Sequence, residues 1–143
     1  SMAGLRIGYA ISNPELIKAL NDVKYSYNSY TMNRPSLVLG VESIHDDAYF
    51  REKVGQIIAT RERFVKEIAE LGFTCLPSTA NFVFATHESI PAKEIFAAAK
   101  ENNIYVRYFD KPRIDNYLRI SIGTDAEMDA FVSFLTTCVK EYK

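Results

Sequence analysis

Apolar residues recur along this chain with two different periods, and the change from one to the other organises it. From Asp46 to Leu71 the spacing is helical. Phe50, Val54, Ile57, Ile58, Phe64, Val65, Ile68 and Leu71 share a face interrupted by a single arginine, Arg61, with Glu52, Lys53, Glu62, Lys66 and Glu70 opposite. Asp46 or Asp47 starts this helix and Gly72 follows it as a cap. Its length predicts that it bridges two domains or lies along a partner subunit. After Gly72 the rhythm shortens. Phe73–Leu76 and Asn81–Thr86 are predicted strands, separated by Pro77-Ser78-Thr79. A helix is predicted over Pro91–Asn102, with Ile95, Phe96 and Ala99 facing in, then strands over Ile104–Phe109 and Tyr117–Ile122 around a turn at Asp110–Asn116. The last helix runs Thr124–Tyr142. Thr124 and Glu127 form a capping box, and Met128, Phe131, Val132, Leu135 and Val139 form its inner face.

The first third is less regular. Leu5–Ile11, an apolar run containing Gly8, predicts a buried strand. Asn13 and Pro14 then open a helix carrying Leu16, Ile17, Leu20 and Val23 at helical spacing. Tyr25–Arg34 is predicted as a loop and Pro35–Ser43 as a short buried helix. Strands alternating with helices imply an α/β fold. A boundary near Ser43–Asp47 divides the chain into residues 1–45 and 46–143, and the first part is too small to make a core by itself.

Composition narrows the function classes. The 143 residues carry a formal net charge of −1, which gives no reason to expect nucleic acid or an anionic membrane as partner. No apolar run approaches the roughly 20 residues of a membrane-spanning helix, and the N-terminal residues lack the pattern of a signal peptide. A cytoplasmic setting is expected. Cys75 and Cys138 are far apart and are read as reduced, buried thiols. His45 and His87 are isolated and are read as surface or helix-end residues, and no metal site is expected.

The chemistry rests on arginines. In Tyr-Leu-Arg-Ile-Ser-Ile, Arg119 shares a face with Tyr117 and Ser121, opposite Leu118, Ile120 and Ile122. A mid-strand guanidinium either pairs with a carboxylate, lies in solvent, or holds a carboxylate or phosphate bidentately. Arg107 has the same character, and two strand arginines joined by a turn can lie on neighbouring strands and together hold a dianion. Arg6, between Gly4 and Gly8, is either a surface residue beside a turn or a group able to reach a phosphate. Asn81 opens a strand, as a local cap or as an aid in orienting an arginine or a substrate carboxylate.

These motifs, in this order, resemble the fold-type-I enzymes that use pyridoxal 5'-phosphate (PLP), and within them the histidinol-phosphate aminotransferase family of class I/II. Ala3-Gly4-Leu5-Arg6-Ile7-Gly8-Tyr9 is similar to the segment after the family's Schiff-base lysine. Pro77-Ser78-Thr79-Ala80-Asn81-Phe82, Val106-Arg107 and Leu118-Arg119-Ile120-Ser121-Ile122-Gly123-Thr124 are similar to its later motifs. The resemblance implies a C-terminal small domain of the PLP-transferase fold, a small sheet covered by helices, after a remnant strand and helices of the large domain. It implies that Arg6 binds the cofactor phosphate, that Arg119 binds the substrate's carboxylate or phosphate with help from Arg107, and that Asn81 lies close by. Tyr27-Asn28 looks like a family loop, with Ser26 in place of the usual proline. The implied reaction converts histidinol phosphate and 2-oxoglutarate to imidazole-acetol phosphate and glutamate, in a homodimer. The lysine is expected before Ser1, so this stretch alone is expected to be inactive. An aromatic-amino-acid aminotransferase, a threonine-phosphate decarboxylase and a non-enzymatic dimerisation or binding module are the competing readings.

Overall fold

The structure, a computed structural model, describes residues 3–142. The chain divides into two compact units, Ser1–Glu52 and Lys53–Lys143, and the division falls inside the long helix α3 (Asp47–Ala69).

In the first unit a single 3-10 turn at Ala3–Leu5 leads to irregular chain and then to α1 (Pro14–Tyr27) and α2 (Arg34–His45). Each helix starts on an asparagine. The Asn13 side chain accepts the N–H of Leu16 at 2.9 Å, and that of Asn33 accepts the N–H of Ser36 at 2.9 Å. The strand expected over Leu5–Ile11 does not form. A strand needs a neighbour to take its backbone donors and acceptors, and no other strand lies among the described residues of this unit. The segment predicted as a loop from Tyr25 is helical through Tyr27, since the Ser26 hydroxyl returns to the Asp22 carbonyl and the N–H of Asn28 reaches Lys24. Of the described residues in this unit, only Ser36 is buried.

The second unit holds the core. Strands β1 (Phe73–Cys75), β2 (Phe82–His87), β3 (Arg107–Tyr108) and β4 (Leu118–Ser121) form one antiparallel sheet in the order β1-β2-β4-β3. Strict alternation along β2 buries Val83, Ala85 and His87, and along β4 it buries Leu118 and Ile120. Helices α3, α4 (Ala92–Glu101) and α5 (Asp125–Tyr142) supply Phe64, Ile68, Ile95, Met128, Phe131 and Leu135 to the same cluster. Phe64 and Phe131 stack with ring centroids 5.9 Å apart. The helices therefore cover one face of the sheet and leave the alternate strand positions on the other.

Two details fix how α3 joins the sheet. Gly72 has φ of +90°, a conformation that a side chain resists, and a Cβ there would come within 3.0 Å of His87 Nε2. His87 itself corrects the expectation of a surface or helix-end residue. It is 5% exposed, its Nε2 donates to the Leu71 carbonyl at 2.9 Å, and its Nδ1 accepts the N–H groups of Ser89 and Ile90 at 3.2 and 3.0 Å. The ring is held as one tautomer, tying the end of β2 to the turns on either side. Its burial follows from its place on the inner face of the sheet and not from its neighbours in sequence. The two cysteines are half-buried rather than buried, and burial pushes the Cys75 thiol up to about 11.

Candidate active site: an arginine pair on the open sheet face

On the uncovered face, Phe84, Arg119 and Arg107 form one row across β2, β4 and β3. Arg119 is directly opposite Phe84 on one side and directly opposite Arg107 on the other. Directly opposed side chains on antiparallel strands start about 4.5–5.5 Å apart at Cβ, and like charges so placed repel. Arg107 is exposed and Arg119 half-buried. The sheet register thus turns two arginines twelve residues apart in sequence into immediate neighbours.

Arg119 is the more constrained of the two. Its guanidinium carbon lies 5.3 Å from the centre of the Phe82 ring, a cation–π contact. Its Nε is buried and has no hydrogen-bond partner. A buried charged donor left unpaired is unfavourable by more than a neutral one. A negatively charged group settling on the exposed end of this row offsets the repulsion within the pair. The site is therefore complementary to a carboxylate or a phosphate.

Aromatic rings border this row. Phe84 stacks on Tyr117 with centroids 4.7 Å apart and planes 9° from parallel, and Phe109 meets Phe84 edge-on at 6.3 Å. Asn81 stands exposed just before β2, and its carbonyl accepts the N–H of Ile122 at 2.9 Å, which holds it beside the end of β4. Phe82, Phe84 and Tyr117 were not singled out from sequence, although the period-2 pattern that puts Arg119 on this face puts them there too.

Arg6 belongs to the first unit and stands exposed in left-handed backbone, with φ of +58°. A non-glycine residue there is strained by about 1–3 kcal/mol, and such strain clusters at functional sites. The Ser36 hydroxyl donates to the Leu5 carbonyl at 3.4 Å, anchoring the turn to α2. A Cβ built on Gly4 or Gly8 would meet nothing within 4 Å. Crowding by this chain therefore does not explain the two glycines. The exposed guanidinium of Arg6 offers the charge and the donors that a phosphate takes.

Other clusters are structural. Arg63 of α3 donates to Glu67, Asp129 and Asp125 at 2.9, 2.6 and 3.0 Å, joining α3 to the start of α5. Among the described residues no group of three or more His, Cys, Asp or Glu side chains comes together to hold a metal ion. None of the described helices is long and apolar enough to cross a membrane.

This fold and these motifs define a class: residues 1–135 match the model of the aminotransferase class I and II family, and the chain belongs to that family. Similar proteins within it include histidinol-phosphate aminotransferases. That of Brachyspira hyodysenteriae is 46% identical over 140 residues, which is 98% of this chain and 40% of that protein. That of Clostridium botulinum strain Okra is 47% identical over 132 residues, 92% of this chain and 37% of that protein. The structure of the Sinorhizobium meliloti histidinol-phosphate aminotransferase in complex with pyridoxal-5'-phosphate matches with a TM-score of 0.85 and 26% identity, over 99% of this chain and 39% of that one. The chain spans about 40% of the length of the curated relatives it matches.

Proposed function

We propose that this chain is the C-terminal part of a PLP-dependent transaminase that converts histidinol phosphate and 2-oxoglutarate to imidazole-acetol phosphate and glutamate. Residues 1–45 belong to the cofactor-binding large domain and its linker, and residues 46–143 form the small domain. Arg6 holds the cofactor phosphate. Arg119, with Arg107 across the strand and Asn81 nearby, holds the substrate's carboxylate or phosphate. The observation that carries this reading is the direct cross-strand pairing of Arg119 with Arg107 on the open sheet face. The cofactor, when bound, supplies the electron sink for a bond broken at the substrate's Cα. The residues of this chain contribute binding and orientation, with the arginine fork fixing one end of the substrate. The high identity to histidinol-phosphate aminotransferases supports the substrate, and the proposed assembly is a homodimer.

The test is kinetic, on the full-length enzyme. Arg119→Lys keeps the charge and removes the planar fork. A lost charge-assisted hydrogen bond of about 1.5–3 kcal/mol corresponds to a fall in kcat/KM of roughly 10- to 100-fold. Unchanged kinetics remove Arg119 from the site. Equal turnover of aromatic amino acids that carry no phosphate would overturn the assigned substrate.

A further inference from the structure

Arg61 is the one charged residue that interrupts the predicted apolar face of α3, and solubility does not explain it, because charges already line the opposite face. It is half-buried. Arg63, two residues on, engages three carboxylates. Arg61 instead donates from Nη1 to a backbone carbonyl, that of Ala80, at 2.7 Å. Ala80 lies in the loop that leads from β1 into β2.

That loop is held by polar tethers. The Ser78 hydroxyl donates to the Phe82 carbonyl at 2.6 Å and accepts the N–H of Ala80 at 3.1 Å. The next carbonyl, of Asn81, accepts from Ile122. Beside the loop is a cleft of about 450 Å³ lined by Arg61, Val65, Cys75, Leu76, Pro77 and Ser78. The Leu76 N–H donates to the Phe84 carbonyl at 3.0 Å, so the sheet holds the two ends of the loop while Ser78 and Arg61 hold its middle. The loop's last residues deliver Asn81 and then Phe82, whose ring supports the Arg119 guanidinium.

We infer that Arg61 is a positioning residue for the anion site: by holding Ala80 it helps set Asn81 and the Phe82 ring, and through that ring the position of the Arg119 guanidinium. The inference rests on the reading of Arg119 as an anion ligand. A shift of an ångström at such a support weakens binding without touching substrate. Arg61 therefore acts on affinity for the anion more than on the chemical step.

The experiment uses the full-length enzyme and compares Arg61→Met, Arg61→Lys and Arg119→Lys. It measures KM for histidinol phosphate, inhibition by inorganic phosphate, kcat and Tm. Arg61→Met should raise KM and the phosphate inhibition constant together by about 5- to 10-fold, with kcat within about twofold. Arg61→Lys, which retains one donor, should recover most of the affinity. A lower Tm with KM and phosphate inhibition unchanged would show a merely structural arginine and overturn the inference. If Arg119→Lys weakens phosphate inhibition and Arg61→Met does not, the Arg61 inference alone falls. If Arg119→Lys changes neither quantity, the anion-site reading falls and takes this one with it. Should Arg61→Met fail to accumulate, Ser78→Ala removes the other tether, and it must shift KM and phosphate inhibition in the same direction for the inference to stand.

Discussion

At the end of β2, His87 closes three backbone valences: the carbonyl of Leu71 and the N–H groups of Ser89 and Ile90. Replacing it with leucine keeps an apolar body and leaves all three unsatisfied. His87→Leu should destabilise the unit by about 1–3 kcal/mol in urea titration, and His87→Asn, which offers a donor and an acceptor, should lose less. Equal stability of the leucine variant and the parent would mean that water replaces the ring. The same scale separates what was legible in the site from what was not. Arg107 and Arg119 could be picked out because period-2 alternation assigns each to a face. That they are direct cross-strand partners could not, because the register is set by pairing between distant segments. Arg61 was visible as an interruption, but its partner at Ala80 was not.

Among the elements, α5 is the one whose start is most fully specified locally. Glu127 accepts the N–H of Thr124 at 2.7 Å, as a capping box requires. That backbone bond, and then the Thr124 hydroxyl, hold the Glu127 carboxyl below its ordinary value of 4.5. Asp125 is held below 3.8, first by the Thr60 hydroxyl and then by Arg63. Both folded values are depressed, so the unfolded chain takes up protons at higher pH than the native one. Their contribution is complete above the ordinary values and is lost as pH falls through the folded ones. The urea midpoint should therefore stay flat from neutral pH to about 5 with respect to these groups and decline below about 4.5. The Asp125→Asn, Glu127→Gln double variant should be less stable at neutral pH and decline less steeply in acid. Parallel curves for variant and parent would refute the linkage. Helices α1 to α5 lie close to where periodicity and caps put them, but α2, expected to be buried, leaves Leu37, Val38 and Val41 exposed, and the strand expected over Leu5–Ile11 is absent for want of a pairing partner.

On the scale of the whole molecule, the two units differ in what they bury. The second has a core of fourteen clustered residues, while Ile11, Val23 and Ile44 of the first are 87%, 68% and 77% exposed. A segment that buries so little cannot offset the conformational entropy of ordering it. Residues 46–143 expressed alone should retain the circular dichroism of a folded α/β unit and unfold cooperatively in urea. Residues 1–52 alone should show neither property. A cooperative transition in the shorter piece would contradict the division.

Local pattern by itself determined the five helices, the caps of α1, α3 and α5, the two faces of β4 and the side of β3 that carries Arg107, and the arginines Arg6, Arg107 and Arg119 as candidates. Those features are written by residues a few positions apart, which interact whatever the rest of the chain does. The tertiary structure alone decided the strand order β1-β2-β4-β3, the burial of His87, the seat of Arg119 on Phe82 and its unpaired Nε opposite Arg107. Each of these is a contact between segments far apart in sequence, so its geometry follows from register and packing, which periodicity does not encode.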